Sequence, residues 1–268
     1  MCYNISMIEL HYSPTNTYLI EGDRGRLLVD TGWAGTFPAF CHAMGEHNIP
    51  VQDIDYLLVT HFHPDHMGIA QEIANLGVKI AVIDVQRDFI HASDAVFAKE
   101  KNSAFIPIRE QSVRIVPISD SRAFLGELGI DGEILHTPGH SDDSVSLILD
   151  DGTVFVGDLN PLYEIDLHAG TRIEESWKQI LSYHPKKVCY GHAKSAILDK
   201  REETLPKNDL HSLVKQIMKL IDKGVSAERI QAKTGADKTF IEDVTRMYLT
   251  HRNVGVQGIL DRIEIKGK

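Results

Sequence analysis

The stretch "VTHFHPDHMG", residues 59–68, places three histidines and one aspartate within six positions. The apolar run "DYLL" directly before it is typical of a buried strand, so the stretch predicts a strand that ends abruptly in a polar loop. Four such side chains in a small volume need partners, and a divalent cation would neutralise and orient them. The alternative is a solvent-exposed loop that happens to be rich in histidine. The position of the cluster at the end of a strand favours a metal site.

Spacing divides the cluster into two pairs. His61 and His63 are two residues apart on an extended loop, so both side chains point the same way and can bind one metal ion. Asp65 and His66 follow the turn at Pro64, project differently and can bind a second ion. The stretch therefore predicts two neighbouring metal positions.

Three later segments repeat the same design. "HTPGHS" places His140 after a strand and a Pro-Gly turn, "VFVGDLN" places Asp158 after an apolar strand and a glycine, and "VCYGHAK" places His192 in the same way. Side chains that follow strands are held on a rigid sheet, which is the usual location of functional residues. These three residues are therefore the expected partners of the first cluster.

The order HxHxDH, TPGHS, GD and GH resembles the metallo-β-lactamase superfamily of metal-dependent hydrolases. The early motif "VDTG" at residues 29–32 also matches, so the resemblance covers residues 29–192. It implies one metal ion held by His61, His63 and His140, a second held by Asp65, His66 and His192, and Asp158 as the carboxylate that bridges both. Asp30 matches a position that orients a ligand histidine without binding metal.

The resemblance also implies a cofactor and a reaction. Two divalent ions, with zinc expected and iron or manganese as alternatives, would lie roughly 3.5–4 Å apart and share a hydroxide. That hydroxide would attack a carbonyl or phosphorus while the ions stabilise the negative charge that develops. Asp65 is the expected catalytic residue, because it is placed to orient the nucleophile or to move its proton while remaining a ligand.

Strand and helix patterns alternate through the first two thirds of the chain, which predicts an α/β fold. Helices are expected around residues 36–47, over 66–77 and near 173–183, with short strands between them. The family resemblance implies a four-layer αββα sandwich, with two sheets inside and helices outside.

The pattern changes at about residue 205. Residues 1–204 are predicted to form the catalytic domain, and residues 205–268 a helical C-terminal module that resembles a helix-turn-helix or winged helix. Its second helix carries Asp237 and Glu242, which would repel phosphates. The preferred interpretation is therefore a helical module that packs on the catalytic domain, covers the edge of the active site or forms a homodimer.

The charge and composition of the chain limit the kinds of binding partner that we expect. The formal net charge is −10, of which residues 205–268 contribute +4 and the remainder −14, so a broad nucleic-acid-binding surface is not expected. The three cysteines form no CxxC pair, and the N-terminus lacks both a basic region and an apolar run. A cytoplasmic protein with a small-molecule substrate and no membrane association is expected.

The substrate class stays open at this level. No cysteine lies in the metal motifs and Asp158 supplies a bridging carboxylate, which argues against antibiotic hydrolysis. His63 stands where flavodiiron proteins have an acidic residue, which argues against that class of protein. A small ester, thioester or lactone is the preferred substrate. The alternatives are a ribonuclease or phosphodiesterase and an iron-dependent persulfide dioxygenase. Tyr163 and His168, in the loop after Asp158, are candidate substrate-binding residues, and for Tyr163 a plain surface role is the competing interpretation.

Overall fold

The computed structural model describes residues 6–162, 165, 168–198, 210–236 and 238–250. The chain divides into two compact units, residues 1–198 and residues 199–268. The boundary predicted after residue 204 lies outside the described residues and stays a prediction.

The first unit contains two β-sheets. The six strands of the first sheet lie in chain order: β1 (Ser6–Leu10), β2 (Thr17–Glu21), β3 (Arg26–Val29), β4 (Tyr56–Leu58), β5 (Lys79–Ile83) and β6 (Val113–Val116). The pairs β1–β2 and β2–β3 are antiparallel, whereas β3 to β6 are parallel to one another. The second sheet has the order β11-β10-β9-β8-β7, from β7 (Gly132–His136), β8 (Val145–Leu149), β9 (Thr153–Phe155), β10 (Lys187–Cys189) and β11 (Ala196–Ile197). Only β9 and β10 pair in parallel in this sheet.

Within the described part of this unit, six α-helices connect and cover the sheets: α1 (Phe37–Glu46), α2 (Pro64–Met67), α3 (Ala70–Ala74), α4 (Asp94–Glu100), α5 (Ser121–Glu127) and α6 (Arg172–Leu181). The predicted single helix over residues 66–77 is wrong, because the chain breaks into α2 and α3 at Gly68. A Cβ atom at Gly68 would lie 2.3 Å from the backbone nitrogen of Ala34, so only glycine permits this close approach. Helix α5 is not among the predicted helices, because the sequence around it is typical of short strands.

Side-chain alternation along the strands creates three apolar layers. Leu28 and Leu57 face Phe40 of α1 on the outer side of the first sheet, in one buried cluster. The next residue of each strand belongs to a second cluster, where Val29 and Leu58 pack against the inner face of the second sheet. The outer face of the second sheet has its own core, in which Ile148 and Val154 pack with Trp177 of α6. The predicted αββα sandwich is therefore confirmed.

The second unit is helical over its described part, with α7 (Leu210–Asp222), α8 (Ala227–Thr234) and α9 (Lys238–Thr250). These helices share a small core of Val214, Ile217, Ile230, Ala236, Ile241 and Val244. The turn after α8 forms at Gly235, which has the positive φ of 70° that favours glycine. Homodimer formation through these helices stays a prediction. None of the helices within the described ranges is long and apolar enough to cross a membrane.

Candidate metal centre

The motif residues meet because their strands run in the same direction. Strands β3 and β4 are parallel and end just before Asp30 and His61, while β9 and β10 are parallel and end just before Asp158 and His192. Strand β7 is antiparallel to β8, which is antiparallel to β9, so β7 also points the same way and delivers His140. The carboxyl ends of these strands therefore place all the candidate ligands at one edge of the sandwich.

The first group of donors consists of His61, His63 and His140. Nδ1 of His63 lies 3.1 Å from Nε2 of His61 and 3.0 Å from Nε2 of His140. Tetrahedral zinc with Zn–N bonds near 2.05 Å separates its nitrogen ligands by about 3.3 Å. The three ring nitrogens are thus spaced almost as one ion would hold them.

The second group consists of Asp65, His66, Asp158 and His192. Nε2 of His192 lies 2.9 Å from Oδ2 of Asp65 and 3.4 Å from Oδ2 of Asp158. Nε2 of His66 lies 3.2 Å from Oδ1 of Asp158 and 3.8 Å from Oδ2 of Asp65. Two imidazoles and two carboxylates make a mixed nitrogen and oxygen donor set that suits a transition-metal ion.

Asp158 faces both groups. Besides its contacts in the second group, its Oδ2 lies 3.6 Å from Nε2 of His140 and 4.0 Å from Nε2 of His61. The carboxylate therefore stands between the two sets of donors, which is the position required of a bridging ligand.

Two buried atoms of the centre have no hydrogen-bond partner among the described residues. They are Nε2 of His66 and Oδ1 of Asp158, which face each other without hydrogen-bond geometry. Buried polar atoms without partners are rare, because each costs the free energy of its lost hydration. A cation between these atoms would satisfy both, so the residues present fit a metal ion.

Asp30 fixes the orientation of the histidines. Its Oδ2 accepts a hydrogen bond from Nδ1 of His66 at 2.9 Å and another from the Thr60 hydroxyl at 2.8 Å, while its Oδ1 accepts the Thr60 N–H at 2.7 Å. The Thr60 hydroxyl has then donated its proton, so it accepts from Nδ1 of His61 at 3.2 Å. Nε2 is consequently the nitrogen of each ring that faces the centre and would bind a metal ion. The predicted orienting position of Asp30 agrees with this geometry.

Burial and charge set the protonation of the ligands. Burial, reinforced by the ring of His66, lowers the pKa of His61 well below its usual value, so His61 is neutral. Burial acts to lower the pKa of His66 too, but the carboxylates of Asp30 and Asp158 outweigh it and raise the pKa to about 10. Hydrogen bonds to Asp158 and Asp65 raise the pKa of His192 to about 10. In the protein without metal, protons on these two rings would occupy the places that a cation takes, so metal binding must release them.

The carboxylates are ionised. Burial acts to raise the pKa of Asp158, but the hydrogen bond from His192 and the positive charges of His66 and His192 hold it far below its usual value. The pKa of Asp65 is also lowered, because its hydrogen bond to His192 and the charge of His66 outweigh burial. Both groups can therefore act as metal ligands at neutral pH.

A loop before β2 positions the second group through backbone contacts that the motifs do not reveal. The side-chain amide of Asn16 donates to the carbonyls of Tyr190 and Ala193, both at 2.9 Å, and so spans the loop that carries His192. Thr15 donates to the carbonyl of Asp65 at 2.9 Å. The only signal in the sequence is the polar run "SPTNT" (13–17), which is too common to predict such a role.

The two candidate substrate residues are not brought into the centre by any described contact. Tyr163 lies outside the described residues. His168 is half-buried in the turn before α6, where its carbonyl accepts hydrogen bonds from Thr171, and it belongs to neither donor group. A cleft of about 520 Å³ opens beside His140 and is lined by Ser141 and Arg172, among others. Of the first donor group, His140 lines this cleft.

Gly191 provides a test of the packing of the centre. A Cβ atom there would lie 2.5 Å from Oδ1 of Asp158 and 2.8 Å from the His66 ring. Gly191→Ala is therefore expected to weaken metal binding by at least about 10-fold, because both ligands must shift. Gly45→Ala is the matched control: its Cβ meets no heavy atom within 4 Å, and in helix α1 it should stabilise the fold by about 0.5–1 kcal/mol. Metal titration and thermal unfolding of both variants check the prediction, which fails if Gly191→Ala binds metal like the unmodified chain.

Residues 12–192 match the family described as Metallo-beta-lactamase superfamily. The Beta-lactamase-like protein 2 homolog of Drosophila melanogaster is 30% identical over 185 residues, which are 66% of this chain and 58% of the fly protein. The Atrochrysone carboxyl ACP thioesterase of Aspergillus fumigatus is 31% identical over 150 residues, which are 54% of this chain and 29% of the thioesterase. The chain thus spans less than two thirds of the length of these relatives.

A solved structure supports the same fold. TTHA1623, whose crystal structure was determined in a di-iron-bound form, is 25% identical to this chain, with a TM-score of 0.55. The similarity covers 75% of this chain and 98% of TTHA1623.

Proposed function

Because this chain belongs to the metallo-β-lactamase superfamily, we propose that it is a binuclear metal-dependent hydrolase that cleaves a small acyl thioester. The observation that carries the proposal is the pair of donor groups with Asp158 between them, within 4.0 Å of ring nitrogens from both. A lone histidine cluster would support one ion, whereas a shared carboxylate supports two.

The chain would hold one ion through His61, His63 and His140 and the other through Asp65, His66 and His192. Bound divalent ions supply an activated water at neutral pH and polarise the acyl carbonyl. Zinc suits the histidine-rich donor set, and iron is the alternative because TTHA1623 was solved with a di-iron centre.

Asp65 is the proposed proton acceptor. Its side chain is 32% exposed, compared with 15% for Asp158, so it is the more solvent-accessible of these two carboxylates. Its lowered pKa keeps it ionised, and an ionised carboxylate can accept the proton of the attacking water. With metal bound, Asp65 and His192 would be held by the same ion, which would fix the orientation of the carboxylate.

The thioester class is favoured by a relative. The fungal protein that is 31% identical over 150 residues is named a thioesterase that acts on an acyl carrier protein. A cleft of about 520 Å³ beside His140 is of the size that holds a small ligand or the end of a larger one. A simple ester or a lactone presents the same carbonyl chemistry, so both belong in the test.

The test is hydrolysis by the zinc-loaded chain of a panel of small thioester, ester, lactone, phosphodiester and persulfide substrates. The expected result is zinc-dependent release of thiol, with the thioester preferred over the oxygen ester of the same acyl group. Preferred cleavage of the phosphodiester, or oxygen consumption with persulfide by an iron-loaded sample, would overturn the proposal.

A further inference from the structure

Gln86 is fully buried, and both polar atoms of its side chain are hydrogen-bonded. It lies in a short 3₁₀ segment after β5, where its Oε1 accepts the N–H of Ile83 at 3.2 Å. Its Nε2 donates to the carbonyls of Val59 and Thr60 at 3.0 and 3.1 Å, and to the carbonyl of Asp143 at 3.1 Å. All of these hydrogen bonds join backbone groups, and Gln86 belongs to neither donor group.

These partners connect the two loops that carry the first donor group. Val59 and Thr60 lead directly into His61 and His63, and Asp143 ends the segment that carries His140. One buried amide therefore spans two loops that lie about eighty residues apart in the chain, without touching either loop's histidines.

Two further buried side chains hold the same loop. Oδ2 of Asp143 accepts the N–H of Phe62 at 2.7 Å, and the Ser93 hydroxyl donates to the carbonyl of Phe62 at 2.5 Å. Phe62 lies between the two histidines of the HxH pair, so both of its peptide groups are fixed. Thr15 and Asn16 hold only the second group, whereas Asp30 serves both groups, since it binds His66 directly and reaches His61 through Thr60.

We propose that Gln86, together with Asp143 and Ser93, is a positioning residue that sets the spacing of His61, His63 and His140 and thereby tunes metal affinity at the first group selectively. The inference rests on the metal-binding part of the proposed function. A ligand whose orientation is released loses metal affinity by about 10- to 100-fold in known sites. Gln86→Met keeps the shape of the side chain but removes its donors, so we expect a loss of that size.

The effect of Gln86→Met is measured on each donor group separately, in a variant in which the other donor group is weakened. His192→Ala weakens the second group and leaves the first intact, while His140→Ala does the reverse. Zinc affinity is measured by competition with a chromophoric chelator. Gln86→Met should weaken binding about 10- to 100-fold in the His192→Ala background and change it by less than about 2-fold in the His140→Ala background.

Gln71 provides the matched control. It is buried to the same degree and makes three hydrogen bonds, to Asn75, Ser112 and Arg109, none of which leads to the centre. Gln71→Met should lower thermal stability about as much as Gln86→Met and leave zinc affinity unchanged in both backgrounds. Equal losses for the two glutamine variants, or equal losses in the two backgrounds, would overturn the proposal.

If Gln86→Met does not fold, Ser93→Ala takes its place, with Ser121→Ala, a buried serine bonded to Ile134, as its control. The same selectivity is expected, with a smaller loss, and its absence rejects the proposal. Normal two-site zinc binding without hydrolysis would contradict the proposed function but not this inference. No zinc binding by the unmodified chain would remove both.

Discussion

Asp158→Ala is expected to bind at most one metal ion per chain and to lose at least about 1000-fold in hydrolysis. The carboxylate faces both sets of donors, with its oxygens 3.2 Å from His66, 3.4 Å from His192 and 3.6 Å from His140. Without it, neither ion has its shared ligand, and the buried ring of His66 loses one of its carboxylate partners. Elemental analysis and a thiol-release assay measure the two effects.

Asp150→Ala is the control for that experiment. Asp150 is half exposed and pairs only with Arg122 on the surface, so its removal should cost no more than about 1 kcal/mol and no activity. The fold of Asp158→Ala should persist, because Asp158 follows a strand instead of filling the core, and circular dichroism checks this. Turnover by Asp158→Ala equal to that of Asp150→Ala would remove the bridging role.

Asp30→Asn is expected to weaken metal binding by about 10- to 100-fold. The backbone of Asp30 has a φ of 60°, a region that asparagine tolerates well, so the substitution preserves the turn. The amide nitrogen must face either the Thr60 N–H or the donors of Thr60 and His66, and therefore at least one hydrogen bond is lost. His66 then loses its fixed proton position, and the carboxylate charge that orients it disappears.

Chelator competition measures the effect of Asp30→Asn. Asp55→Asn is the control, since Asp55 also accepts a backbone N–H, from Arg26 at 2.8 Å, but lies on the surface away from the centre. Metal affinity in Asp30→Asn equal to that in Asp55→Asn would show that the orienting carboxylate is dispensable.

The ligand residues were predictable because each follows a strand within a short, unusual motif. "HxHxDH" at the end of an apolar run, and histidine or aspartate directly after glycine in three later segments, leave few other uses for these side chains. The layer order was predictable because the same motifs resemble a family whose fold is an αββα sandwich, and strands such as β3, with Leu28 and Val29 in different apolar clusters, have that arrangement.

The supporting residues were not predictable from local sequence. Gln86 and Asn16 act on backbone carbonyls, which every residue possesses, and their partners lie far away in the chain: Asn16 reaches Tyr190 across 174 positions. The break between α2 and α3 has the same origin. The local sequence does not show that the helix breaks at Gly68, because the cause is the close approach of the loop at Ala34.

The central claim is that two metal ions occupy the two donor groups, and anomalous diffraction from crystals of the zinc-loaded chain tests it most directly. Two anomalous peaks are expected, one coordinated by His61, His63 and His140 and the other by Asp65, His66 and His192, with Asp158 contacting both. The absence of a peak at either group, or a single ion that Asp158 does not contact, would contradict it.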